Sequence, residues 1–213
     1  LVRSSSEGKP QEGISFLLID MNTPGVEVRP IIMLEGTHEV NEVWFTDVKV
    51  PVTNRVGEEN KGWTIAKYLL VHERSGIACV GDALASLDHL KHIASDQKKD
   101  GKALAEDPFF AARMAQIEID ISAMRTTNMR VQQAGMEGKE IGPQVSQLKI
   151  TGTVLRQSIN DLTRRALGPY AMPFVSEALE GGSNAETFGP AYANPLAADY
   201  FNHRKTSIYG GSN

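Results

Sequence analysis

The hydrophobic period of this chain changes near residue 60, from short strand-like runs to long stretches repeating every 3.6 residues, and few folds accommodate both. Ile14 to Met21 (ISFLLIDM), Val26 to Met33 (VEVRPIIM) and Val40 to Val50 (VNEVWFTDVKV) read as strands. Thr23-Pro24-Gly25 and Glu35-Gly36-Thr37 separate them as turns. The third run slips out of alternation at Thr46-Asp47, which predicts a bulge, and Pro51 ends it.

From about residue 61 the pattern is helical. Apolar residues at Ala66, Leu69, Leu70, Ile77, Val80, Leu84 and Leu87 predict one amphipathic helix starting at Gly62. A second is predicted over Pro108 to Met136, with Phe110, Met114, Ile117, Ile121, Met124 and Val131 inward and Asp107 as N-cap ahead of Pro108. A third runs from Pro143 to Leu167 with Leu148, Leu155, Ile159 and Leu162 on one face, and Gly168-Pro169 stops it. A shorter helical segment lies near Leu196 to Tyr209. Long antiparallel helices after a β region predict an α+β chain, a helical bundle packed on or beside a sheet.

One residue of the first stripe is out of character. Glu73 falls three residues after Leu70 and four before Ile77, so a single helix points its carboxylate where the Leu and Ile side chains point. A buried charge needs a cation, or its pKa rises until it is often neutral. Arg74 lies about 100° around the helix and does not face it directly. Glu73 therefore meets a cation from another helix, sits on a wetter face than the pattern suggests, or serves as a catalytic base.

Composition removes several classes of function. The net charge of −4 provides no basic footprint for nucleic acid. No run of 18 or more apolar residues is present to span a membrane. The single cysteine, Cys79, cannot form an internal disulfide, which favours a reducing, intracellular compartment. His38, His72, His89, His92 and His203 form no HExxH or Cys/His cluster, so no metal site is expected. GxSxG, GxxxxGK[ST] and GxGxxG are also missing. Two glycine-containing turns, Gly168-Pro169-Tyr170 and Tyr209-Gly210-Gly211-Ser212, are places where backbone can approach a ligand closely. The opening Leu1 and the ending at Asn213 read as a segment of a longer protein.

Taken in order, TPGVEVRPI, EVNEVWFTDVKVP, NRVGEENKGWTIAKYLLVHERSGIA and the terminal RKTSIYGGSN resemble the acyl-CoA dehydrogenase family over the whole chain. The resemblance implies that residues 1–60 are the end of an antiparallel, barrel-like middle β domain and residues 61–213 a C-terminal helical bundle. It implies FAD as cofactor and an acyl-CoA substrate, whose α-proton goes to a glutamate while hydride passes from the β-carbon to flavin N5, leaving a trans-2-enoyl-CoA. Electron-transferring flavoprotein is the implied acceptor, within a homo- or hetero-oligomer formed through the helical domain. A bacterial, cytoplasmic location is expected, with a mitochondrial one open.

The resemblance also assigns roles residue by residue. Many members carry the base directly after the tyrosine of the terminal loop, which is Gly210 in this chain. Others carry it just before the arginine of the first C-terminal helix, which corresponds to Glu73. A desolvated carboxylate suits that role, because the α-proton of a thioester is a weak acid. Arg74 and Gly211 correspond to substrate-site residues, Gly211 along the thioester, with Ser212 and Asn213 near the flavin. The inter-subunit flavin contacts correspond to Lys98 or Lys99 in QKKDG and to Arg165 and Gly168 in Arg165-Ala166-Leu167-Gly168-Pro169. There a cation replaces the family's amide and proline its second glycine. Two other functions remain open on this scaffold: a flavin oxidase or monooxygenase, and a non-catalytic partner subunit.

Overall fold

A computed structural model describes residues 1–76, 78–139, 142–179 and 184–213, residues 71–75 by their backbone alone. The chain divides into two compact units, Leu1–Ile32 with His38–Glu73, and Met33–Thr37 with Arg74–Asn213.

The first unit carries strands β1 (Val2–Arg3), β2 (Ile14–Leu17), β3 (Val26–Ile32), β4 (His38–Phe45) and β5 (Arg55–Val56), followed by helix α1 (Gly62–Gly76), which extends past its boundary. β2 pairs antiparallel with both β1 and β5, and β3 with β4 alone. Among the described residues these strands form two separate sheets and close no barrel, because the β3–β4 hairpin pairs only with itself and every residue of β4 is exposed. The bulge lies between Ile31 and Ile32 instead of at Thr46-Asp47, where Asp47 takes a left-handed φ of 51° after β4 has ended. Buried Ser15 on β2 ties the sheet to the start of α1: its Oγ lies 2.6 Å from Ser4 Oγ and accepts from Asn60 N at 2.9 Å.

The second unit is helical: α2 (Val80–Asp96), a hairpin of β6 (Lys98–Lys99) and β7 (Lys102–Ala103), then α3 (Pro108–Met136), α4 (Gln144–Leu167) and α5 (Leu196–Asn202). Asp107 caps α3 as expected, accepting from Phe109 N and Phe110 N at 3.1 and 3.0 Å. Phe110, Ile117, Ile121, Met124 and Val131 of α3 pack with Leu148, Leu155, Ile159 and Leu162 of α4 in one core. α2 is antiparallel to α3: late in α2, Lys91 meets Glu118 at 2.9 Å, while early Leu84 shares a cleft with Arg125, further along α3. α2 and α4 run the same way, since Ala78 abuts Gly152 while Ile93 clusters with Leu167.

The first predicted helix does not run through. It stops at Gly76, and Cys79, left-handed at φ 44° and ψ 50°, becomes the N-cap of α2. A side chain forced into that conformation leaves no periodic signal in the sequence. The stripe divides accordingly: Ala66 and Leu87 are buried, but Leu69, Leu70 and Leu84 are 57%, 44% and 42% exposed. No single core-facing stripe therefore runs from Ala66 to Leu87. The side chains of Glu73 and Arg74, like Ile77, lie outside the described residues.

Candidate active site

Beside its apolar stripe α4 carries a polar one, Lys149, Thr153, Gln157 and Asn160, at steps of four, four and three. These four side chains fasten the chain end onto the helix. Asn160 Nδ2 donates to Asp199 O at 3.2 Å and lies 2.6 Å from His203 Nδ1. Gln157 Nε2 reaches His203 O, Thr206 Oγ1 and Ser207 Oγ at 3.2, 3.2 and 2.8 Å. Thr153 Oγ1 donates to Thr206 O at 3.3 Å, and Lys149 Nζ to Asn213 Oδ1 at 2.7 Å. Each bond crosses at least 39 residues of sequence, so helical periodicity alone could not pair them. A polar repeat beside the apolar one was the available signal.

The stripe borders a cavity of about 230 Å³ lined by Gly76, Cys79, Gly152, Thr153, Arg156, Thr206 and Tyr209. It gathers the end of α1, the turn into α2, the middle of α4 and the residue before the Gly210-Gly211 pair. Gly152 permits this approach, because a Cβ there would sit 2.8 Å from the carbonyl oxygen of Ala78. Cys79 Sγ faces the Gly76 carbonyl at 3.4 Å.

The residues expected to bind cofactor fall into two groups. Gly211, Ser212 and Asn213 lie on the terminal loop; Gly211 has φ 98° and open space where a Cβ would be. Asn213 is held by Lys149, and its N–H donates to Ser207 O at 3.2 Å. Arg165 and Gly168 lie at the other end of α4, roughly 24 Å along the helix at about 1.5 Å per residue from Lys149 to Arg165, and Lys98 lies on β6, just after the C-terminal end of α2. On β6 Lys99 is bound to Asp107 at 2.6 Å, while its exposed neighbour Lys98 makes no ion pair among the described residues. Arg165 Nε donates to Asp161 Oδ2 at 2.6 Å, and Arg164 Nη2 to Asp161 Oδ1 at 3.2 Å. Burial works to raise the Asp161 carboxyl, but the two arginines outweigh it and hold it below its ordinary value. Gly168 ends α4 at φ 53° and ψ −122°.

A third set of titratable groups lies where α5 meets α4. Burial pushes the Asp199 carboxyl up, opposed by His203 and His89. Burial and the charge of Arg156 push the His203 imidazole down, opposed by Asp199. Sequence reasoning assigned these residues no role.

Residues 60–213 match the family model "Acyl-CoA dehydrogenase, C-terminal domain". The chain belongs to the acyl-CoA dehydrogenase family. The acyl-CoA dehydrogenase FadE34 of Mycobacterium tuberculosis is 30% identical over 213 residues, all of this chain and 26% of that protein. The acyl-CoA dehydrogenase IpdE1 of the same organism is 28% identical over the whole chain and 50% of its own length. Against the crystal structure of an acyl-CoA dehydrogenase from Geobacillus kaustophilus the TM-score is 0.80 at 26% identity, covering 99% of this chain and 52% of that one. The chain thus spans half or less of the two curated relatives. Among the described residues no helix is long and apolar enough to cross a membrane.

Proposed function

We propose that the complete protein is an FAD-dependent acyl-CoA dehydrogenase that introduces a trans double bond between the α and β carbons of an acyl-CoA, with Glu73 as the base. The observation that carries this reading is the cavity shared by Gly76 and Tyr209. Glu73 precedes Gly76 by three residues in the same helix, and Gly210 follows Tyr209. Gly76, about one helical turn after Glu73, and Tyr209, directly before Gly210, line this one cavity, and of the two positions at which the family carries its base only Glu73 is a carboxylate. Arg74 supports the acyl-CoA beside it.

The residues present fit a flavin dinucleotide. Gly211 leaves its backbone open to a flat ring, with Ser212 and Asn213 adjoining. Lys98 and Arg165 place two cations at the far end of the bundle, where Gly168 turns the chain, suited to a pyrophosphate. Bound there, FAD supplies the acceptor for the β-hydride. The wide separation of the two groups along α4 favours contact with two cofactor molecules, one through a neighbouring subunit, and hence an oligomer. The chain's own part is to orient the thioester along Gly211, receive the α-proton on Glu73 and exclude water around it. Electron-transferring flavoprotein is the proposed acceptor.

Anaerobic mixing of the complete protein with a panel of acyl-CoAs tests the proposal. At least one should bleach the visible flavin band, and reoxidation should be much faster with electron-transferring flavoprotein than with oxygen. A protein that holds flavin but is bleached by none would refute it; comparable reoxidation with stoichiometric peroxide would make it an oxidase.

A further inference from the structure

We propose that Lys149 is a positioning residue that fixes the terminal loop Gly210–Asn213, a role that rests on the reading of this loop as part of the active site. Lys149 lies in the second turn of α4 and is 3% exposed, beside Leu148 at 1%. Burying a charged amine is costly unless it does something for the fold or the site. Among the described residues its hydrogen-bond acceptor is a neutral amide, Asn213 Oδ1 at 2.7 Å, instead of a carboxylate.

The loop needs such an anchor. Gly210 and Gly211 are both left-handed, at φ 67° and 98°, and two consecutive glycines have little conformational preference of their own. Beyond them Ser212 and Asn213 are exposed. Asn213 is nonetheless held on two sides: Lys149 binds its Oδ1, while its N–H donates to Ser207 O at 3.2 Å. Ser207 is itself fastened to α4 through Gln157 at 2.8 Å. Lys149 and Gln157, two turns apart on a packed helix, thus close the seven-residue segment Ser207–Asn213 back onto α4 like a clasp around the glycine pair. Releasing Lys149 leaves the Asn213 N–H bond to Ser207 O as the remaining tie of the two, so the glycines and Ser212 move more freely while the packing of α2 on α3 is untouched.

Lys149→Met and Asn213→Ala in the complete protein, singly and together, test this by amide hydrogen exchange over residues 208–213 and by anaerobic flavin reduction. Met retains the aliphatic stem, so a packing role alone predicts unchanged exchange. A hydrogen bond from a charged donor sets the expected rise in loop exchange at about 10- to 100-fold for either variant, with the double variant no faster than the faster single one. Flavin reduction should fall with it while exchange in α2 and α3 stays as in the parent. Unchanged loop exchange in both single variants, or additive effects in the double, would overturn the proposal. So would faster exchange with full reduction rates. If Lys149→Met does not fold, Asn213→Ala, altering an exposed residue, decides alone. A parent protein that no acyl-CoA reduces would refute the dehydrogenase reading, whereas the exchange data would still decide whether Lys149 holds the loop.

Discussion

Replacing Gly152 by Ala sets helix propensity against packing, and the structure decides the sign. In mid-helix the substitution gains roughly 1 kcal/mol from propensity. The new Cβ, however, would lie 2.8, 3.0 and 3.2 Å from the O, Cα and C atoms of Ala78. All three are backbone atoms of a buried residue, next to left-handed Cys79, so no side chain can rotate away. Overpacking of this kind costs about 1–3 kcal/mol, and a clash with backbone belongs in the upper part of that range. The net expectation is a loss of about 1–2 kcal/mol. Thermal unfolding of the complete protein, followed through the helical circular dichroism signal, should show it as a midpoint lowered by roughly 2–8 °C for a domain of this size. Gly81→Ala in α2 is the matched control, because nothing lies within 4 Å of its Cβ position; it should be neutral or stabilising. Flavin reduction should suffer only in Gly152→Ala, because Gly76 and Cys79 line the cavity with it. A Gly152→Ala protein stabilised as much as Gly81→Ala would refute the close approach of α4 to this turn.

Two further outcomes follow from the helix ends. Gly168→Ala should lower stability by about 1–3 kcal/mol despite open space at its Cβ, because φ 53° with ψ −122° is a region that residues with a side chain avoid; denaturant unfolding checks it. His203 has a folded pKa below its unfolded one, so between the two values the folded state binds fewer protons than the unfolded state. Its contribution is complete above about pH 6.5 and is lost as pH drops through the lower folded value. Asp199, shifted upward, acts in the opposite sense and at lower pH, its contribution present below about pH 4 and lost as pH rises through its raised value. Stability measured from pH 7.5 to 5.5 should therefore fall in the parent and flatten in His203→Gln; an unchanged slope would contradict the assignment.

The parts of the fold legible in the sequence are those with local chemistry. Asp107-Pro108 starts α3 at the expected residue because the cap and the fixed φ of proline act within one turn. Gly168 stops α4 for the same kind of reason. The break at Cys79 was not legible, since it comes from packing of Ala78 on Gly152 some 70 residues away, and periodicity continued across it. The extra strands of the first sheet, two residues each, are too short to carry a pattern. Of the residues proposed for the site, Gly210, Gly211 and the cations Lys98 and Arg165 could be picked out because they stand at motif positions. Lys149 could not, because a lysine in a helix reads as a solvated residue until the fold shows it buried against Asn213. The stripe that drew attention to Glu73 is broken in the fold, and the proposal for that residue now rests on the cavity at the end of its helix and on the family's two base positions.

Rapid mixing of the complete Glu73→Gln protein with an acyl-CoA that reduces the parent, under anaerobic conditions, tests that proposal most directly. Gln keeps the volume and hydrogen-bonding capacity of the side chain but cannot take a proton, so flavin content should match the parent while flavin reduction slows by at least ~100-fold, the low end for a positioned acid or base. A folded, flavin-replete Glu73→Gln protein that is reduced as fast as the parent would show that Glu73 is not the base.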